Sequence, residues 1–284
     1  MTTRKTIRPV TLRRVVEICS LASISKGIDV LVASQKLGVS NSRAEEIVLE
    51  VEKMGLLTRF EKNHLPNDKT AQFLGYFENE KWERIHDYFL KNYIFYQDFI
   101  FVLESHINDE KVLTIDEIKI DSANRQLSLN QTAVEVVSDW CDRLGIIQRH
   151  LYNRRLYLAR MKPELQTFKN ALAKHYQEVS RTRLRRGIFV EIPMIREDLC
   201  ERLKIARKVF DELLRAVYLE NVGRMELSGA PIITLAKKSP LSEKKIIRNG
   251  KAAILSPKYE IQKDREGLLV GQKTYYYMAM HEGI

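Results

Sequence analysis

Ser40-Asn41-Ser42-Arg43-Ala44, running on to Met54-Gly55-Leu56-Leu57-Thr58-Arg59, is the stretch that decides the fold. Polar residues able to cap a helix precede Ala44, Ile47, Val48, Val51 and Met54, which are spaced along one helical face. A glycine then stops the helix and an alternating, strand-like segment takes over. Asn130-Gln131-Thr132-Ala133 to Leu144-Gly145-Ile146-Ile147-Gln148-Arg149 repeats the pattern. Its landmarks sit 90 positions further on: Gly55 against Gly145, Met54 against Leu144, Ile47 against Val137, Arg59 against Arg149. That register points to an internal duplication. A third copy runs from Ala206-Arg207-Lys208-Val209-Phe210 to Leu219, then through Asn221-Val222-Gly223 into Arg224–Leu227.

Outward from these copies, Thr11–Ser23 places Leu12, Val15, Val16, Ile18 and Leu21 on one helical face, and a short helix over Asp29–Leu37 stops at Gly38. Leu56–Phe60 opens a hairpin through Lys62-Asn63-His64, and residues 68–79 read as a connecting helix. An aromatic-rich helix is expected over Trp82–His106, broken near Asn92-Tyr93; its apolar content exceeds one stripe, so it packs on two sides. Leu113–Asp121 has no decisive period. Ile146–His150 and Arg155–Ala159 alternate clearly around Leu151-Tyr152-Asn153-Arg154 and make the most legible hairpin. A helix over Pro163–Ser180 leads into an arginine-rich stretch. A strand over Ile188–Ile192, helices over Ile195–Leu203 and Ala206–Asn221, and a hairpin of Arg224–Leu227 with Ile232–Leu235 complete the third module. Tyr275–Met280 reads as a final strand. The expected class is mainly α with small β-hairpins, an α+β chain. Its modules span 8–80, 81–162 and 187–236, with a helical basic linker at 163–186 and a basic tail at 237–284.

Hydrophobic residues make up 44% and charged residues 30%, an ordinary globular composition. The formal net charge of +10 favours a polyanionic partner without separating DNA from RNA or an anionic membrane surface. Cys19, Cys141 and Cys200 fall inside predicted helices beside apolar neighbours. An odd count without paired spacing reads as buried thiols in a reducing compartment, rather than disulfides or a zinc site. Met-Thr-Thr-Arg-Lys leads into no apolar signal core, and no run is long enough to cross a bilayer. The expectation is a cytoplasmic, nucleoid-associated protein with no membrane partner.

With a polar start, a helix, a glycine and a hairpin, all three modules resemble the winged helix-turn-helix superfamily. The third is also similar to compact winged helices appended to many prokaryotic DNA-processing and defence proteins. There Ile-Pro-x-Ile-Arg-x-x-Leu leads into Phe-Asp-x-x-Leu; here the residues are Ile192, Pro193, Ile195, Arg196 and Leu199, then Phe210, Asp211 and Leu214. The resemblance implies non-catalytic binding of double-stranded DNA, with the start of each third helix in the major groove and each hairpin against the backbone. It assigns Asn41, Ser42 and Arg43, with Arg59, Lys62 and His64 on the wing, to the first module. The second would use Asn130, Gln131 and Thr132, with Arg149, Asn153, Arg154, Arg155 and Arg160. The third would use Lys204, Arg207 and Lys208, preceded by Arg181, Arg183, Arg185 and Arg186. Between Gln148 and Pro163 the charged residues are all basic, which makes the second module the best phosphate site. Glu45, Glu46, Glu50 and Glu52 crowd the helix of the first and oppose phosphate there.

Two other readings stay open. A scaffold subunit would use its winged helices on protein partners or a second copy of itself, as in SMC-associated tandem winged-helix subunits; the aromatic helix 82–106 and the glutamates of the first module fit that. A metal-dependent nuclease has only Asp116 with Glu117-Ile118-Lys119 behind it, a form common by chance. No Walker-type or dinucleotide glycine motif and no His-Glu-x-x-His pair is present, and the six histidines are scattered. The expectation is therefore no enzyme, no metal and no cofactor.

Overall fold

A computed structural model of the chain describes residues 7–107, 112–159, 162–182, 188–229, 246–248, 251–253 and 267–281. It is mainly helical with small antiparallel strand pairs, the α+β class expected. The described residues fall into two units. One runs to Arg149 and adds Arg155–Tyr157 and the strands at 246–253; the other holds His150–Arg154 and the described remainder from Leu158.

The first repeat begins with α1 (Leu12–Ser25), where Thr11 Oγ1 accepts from the Arg14 N–H at 3.3 Å. Ile28 then pairs as a single bridge with His64, exchanging both backbone hydrogen bonds at 3.0 and 2.9 Å. Asp29 caps α2 (Val30–Leu37) by accepting from Val32 N at 2.7 Å. Gly38, at φ 63°, ends it, and Val39 N–H reaches back to Ser34 O. Ser40 caps α3 (Asn41–Lys53), and Gly55 at φ 73° releases the chain into β1 (Leu57–Phe60) and β2 (Asn63–Pro66). Phe60 pairs with Asn63, so Glu61-Lys62 is the whole turn.

The second repeat follows the same order. Its leading segment is the predicted aromatic helix, which breaks as expected: α4 (Asp68–Glu78) is followed by α5 (Trp82–Asn92) and α6 (Ile94–Ser105), with Tyr93 extended between them. Leu113 bridges to Leu156 at 3.0 and 2.7 Å, matching Ile28 and His64. The undecided stretch after it is α7 (Ile115–Asn124), left by Gln126 at φ 58° with Leu127 N–H on Ser122 O. Asn130 caps α8 (Gln131–Arg143), ninety positions after Ser40 and α3, and Gly145 repeats the φ of 73°. β3 (Ile147–Arg149) pairs with β4 (Leu156–Leu158).

These two repeats share one core. Phe89, Tyr93, Tyr96 and Trp140 are all at most 1% exposed, with ring centroids of Phe89 and Tyr93 5.3 and 5.7 Å from that of Trp140. The Trp140 Nε1–H donates to Val10 O at 3.0 Å, which satisfies its polar handle. Most of the apolar excess of the aromatic segment is therefore absorbed by packing within the chain, while Leu90, Ile94 and Phe101 remain exposed.

The third repeat opens with α9 (Leu165–Thr182), then β5 (Val190–Glu191), shorter than expected because Ile192 and Pro193 already begin α10 (Ile192–Leu203). Proline fits there, where a helix leaves N–H groups unbonded. Lys204 ends α10 at φ 55° with Ile205 N–H on Cys200 O, the same stop as Gly38 with Val39. α11 (Arg207–Glu220) leads to β6 (Met225–Ser228). β7 (Ile246–Arg248) pairs with β8 (Lys251–Ala253), and β9 (Leu268–Val270) with β10 (Lys273–Tyr275). The final strand, β11 (Tyr277–Met280), lies between β5 and β6, antiparallel to both. β6 thus takes its partner about fifty residues downstream; the expected partner, Ile232–Leu235, lies outside the described residues. In all three repeats the strand or bridge before the second helix pairs with the last strand, and that strand also pairs with the one leaving the third helix.

Candidate nucleic-acid interface

At the start of α3, Asn41 and Ser42 are exposed, while Ser40 is engaged in capping Arg43 N at 3.3 Å. Arg43 donates to Glu46 at 2.8 Å and also to Pro9 O. The glutamates that argued against phosphate here are mostly spent. Glu46 is paired with Arg43 and Arg8, and the Arg43 hydrogen bond leads the causes holding its carboxyl below the ordinary range. Glu50 is fully buried and accepts from the Tyr93 hydroxyl, the Arg8 N–H and, at 3.0 Å, Lys53. Glu52 lies 3.2 Å from His64, whose ring is buried rather than displayed on the hairpin. Burial also lowers the His64 pKa. Glu45 stays exposed, as do Arg59 and Lys62 around the hairpin turn.

The second repeat is the more engaged of the two. Asn130 is the helix cap, accepting from Ala133 N at 2.8 Å; Gln131 donates to Glu135 at 3.1 Å; Thr132 is half-buried. Arg149 donates to Ser138 Oγ at 2.6 Å. Arg154 and Arg155 are exposed, beside Tyr152 at 58% exposure. Arg160 lies outside the described residues, and Lys162 is 3.5 Å from Glu212.

In the third repeat Lys204 is buried at the end of α10, and Arg207 is buried in a two-point pair with Glu197, at 2.5 and 2.9 Å. Lys208 and Arg181 are exposed. Arg183, Arg185 and Arg186 lie outside the described residues, as do Lys237, Lys238, Lys244 and Lys245 of the tail.

Sequence reasoning missed the carboxylates that meet the turn His150–Arg154. The Leu151 N–H donates to Glu197 Oε2 at 2.8 Å, and Asn153 Nδ2 donates to Glu201 Oε2 at 2.9 Å. His150 is buried; its Nδ1 accepts from the Tyr152 and Asn153 N–H groups at 3.2 and 3.3 Å, leaving Nε2–H to face Asp198 Oδ1 at 3.5 Å. His175 Nε2 stands 3.2 Å from the other Asp198 oxygen. Burial pushes the Asp198 carboxyl up, but hydrogen bonds from His150 and His175 outweigh it and hold the group well below the usual carboxylate range. Nothing local in the sequence ties these acids to a turn some fifty positions earlier.

Glu117 has a structural occupation. It is the third residue of α7, where its carboxylate accepts from the Thr114 N–H and Oγ1–H at 2.8 and 2.9 Å in a capping box. Among the described residues no group of three or more His, Cys, Asp or Glu side chains is placed to hold a metal ion, and no helix is long and apolar enough to cross a membrane. No protein-family model matches the chain, and a search of the curated proteins finds no match.

Proposed function

We propose that this chain binds double-stranded DNA without catalysing a reaction on it, through three tandem winged-helix repeats led by the first. The observation that carries the reading is the thrice-repeated order of helix, bridging strand, two helices joined by a left-handed turn, and an antiparallel strand pair, which is a hairpin in the first two repeats and β6 with β11 in the third. In the first repeat that order presents Asn41 and Ser42 at a helix start and Arg59 and Lys62 around the following turn, all exposed. Polar side chains at a helix N-terminus suit base edges and phosphates, and hairpin cations suit the backbone. The burial of Glu50 and the pairing of Glu46 with Arg8 and Arg43 support giving the first repeat the leading role expected of the second. A net charge of +10 supplies long-range attraction to a polyanion.

The scaffold reading draws less support than its sequence suggested, because most of the aromatic segment is in the chain's own core, although Ile94 and Phe101 stay exposed at 53% and 51%. It keeps Leu31 and Phe60 of the first repeat, exposed at 60% and 61%. Fluorescence anisotropy with a labelled duplex across a salt series separates the two. Wild type is expected to bind with affinity that falls steeply with salt, and Arg59→Ala with Lys62→Ala to flatten the log–log slope by about two. No binding at low salt, or a slope the substitutions leave unchanged, would overturn the DNA reading.

A further inference from the structure

The turn His150–Arg154 offers the donors that a phosphate backbone takes, a main-chain N–H and a side-chain amide, with the Arg154 and Arg155 cations exposed beside them. Those donors already hold carboxylates. Glu197 and Glu201 stand four residues apart on α10, hence on one helical face, and take Leu151 N–H and Asn153 Nδ2 at 2.8 and 2.9 Å. Asp198 sits beside Glu197 and faces His150, whose Nδ1 organises the turn by accepting from two of its N–H groups. The three acids are not equivalent. Glu197 is 2% exposed and also neutralises Arg207, so it belongs to the core of the unit. The Asp198 side chain is 40% exposed and that of Glu201 15%, so their hold on the turn is open to solvent, to salt and to exchange.

We propose that the acidic edge of α10 is an internal competitor for nucleic acid: its carboxylates occupy the turn in place of phosphates, and a duplex must displace Glu201 and Asp198 to engage Asn153 and the cations beside it. The inference rests on the DNA-binding reading above and adds to it a restraint on the second repeat. Asp198 and Glu201 are the releasable part, Glu197 the fixed part.

The test sets Asp198→Asn with Glu201→Gln against Glu164→Gln with Glu220→Gln, a control that removes two charges from exposed positions of the same unit. Two readouts are taken on the full chain: amide hydrogen exchange at Leu151 and Asn153, and anisotropy with a labelled duplex. The Asp198/Glu201 variant is expected to exchange faster at Asn153, to keep the Leu151 amide protected by Glu197, and to bind the duplex about fivefold more tightly than wild type, while the control gains no more than about twofold. Glu201→Gln alone keeps the Asp198 contacts and gives a smaller gain in the same direction, which separates release from misfolding. Equal gains in variant and control, or faster exchange without tighter binding, overturn the competitor and leave DNA binding standing. No duplex binding by any of the proteins overturns the DNA reading and the proposal with it.

Discussion

The turn after β1 and the turn after β3 occupy matching places in two copies of one plan, and they are put to different use. Glu61-Lys62 closes the first hairpin in two residues, with Glu61 at φ 54°, and leaves Arg59 and Lys62 exposed. The second turn spans residues 150–155, and its backbone and Asn153 are bonded to Glu197 and Glu201 of α10. The helices, caps and glycines before the two turns are alike, so turn length is what separates them. A two-residue turn spends its backbone on its own closure, whereas a longer one has donors left over, and buried donors must find partners. A charged sequence around a hairpin is therefore a poor guide to what it contacts until the owners of its spare hydrogen bonds are known.

The largest expected effect tests the fixed end of the second turn. Arg207→Ala leaves Glu197 buried without its cation and is expected to cost about 3–5 kcal/mol, read from the urea midpoint. Replacing both, Arg207→Met with Glu197→Leu, is expected to recover most of that loss, since a buried pair and an apolar pair of similar volume come out close to even. A loss below about 1 kcal/mol for the single change would show that the turn is held without the pair.

Next in size is a test of whether the frames before the two turns are equivalent. Gly55 and Gly145 both stand at φ 73°, where a side chain costs about 1–2 kcal/mol. A Cβ at Gly55 would meet Tyr88 Oη at 3.6 Å and Lys69 Nζ at 3.8 Å, ordinary contacts, and one at Gly145 meets nothing within 4 Å. Backbone strain alone sets the cost, so Gly55→Ala and Gly145→Ala are expected to destabilise equally in thermal or urea denaturation. A difference above about 1 kcal/mol would break the equivalence.

A smaller effect separates the turns by function. Under the DNA reading, Arg59→Ala with Lys62→Ala is expected to weaken duplex binding about tenfold at physiological salt. Arg154→Ala with Arg155→Ala costs less, because the carboxylates of α10 already restrain that turn. The gap is expected to close when Asp198→Asn and Glu201→Gln are added. Anisotropy titrations of the four proteins check this, and a second-turn loss equal to the first without those additions would remove the distinction.

The legible part of this molecule was what local periodicity and backbone stops encode. The 90-residue offset, the caps Ser40 and Asn130, the break at Tyr93 and a final strand, expected from Tyr275 and found at Tyr277–Met280 because Tyr275 ends β10, could all be read from neighbouring residues. The bridges at Ile28 and Leu113 could not, since one residue carries no alternation. Nor could the pairing of β6 with β11, because the nearest strand-like segment is the default partner and a distant one leaves no mark in spacing. The burial of Arg207 and the inward turn of Glu50 were hidden for a different reason. Charged residues are presumed solvated, and only the three-dimensional fold supplies the Glu197 and Tyr93 that make burial affordable.

The smallest expected effect concerns how the third helix of each repeat begins. Ser40 and Asn130 each accept from the backbone N–H three residues on, at 3.3 and 2.8 Å, while Ala206 at the matching position of α11 makes no side-chain cap. Its backbone is already extended, at φ −71° and ψ 150°, close to Ser40 at −64° and 157°. A serine there needs no backbone change to reach the Val209 N–H. Ala206→Ser is therefore expected to stabilise the chain by about 0.5–1 kcal/mol, and Ser40→Ala or Asn130→Ala to destabilise it by a similar amount. Denaturant midpoints at constant slope provide the comparison. If Ala206→Ser is neutral while the other two cost the expected amount, the start of α11 is fixed by the Arg207–Glu197 pair rather than by its cap, and the third helix of the third repeat differs from its counterparts from its first residue on.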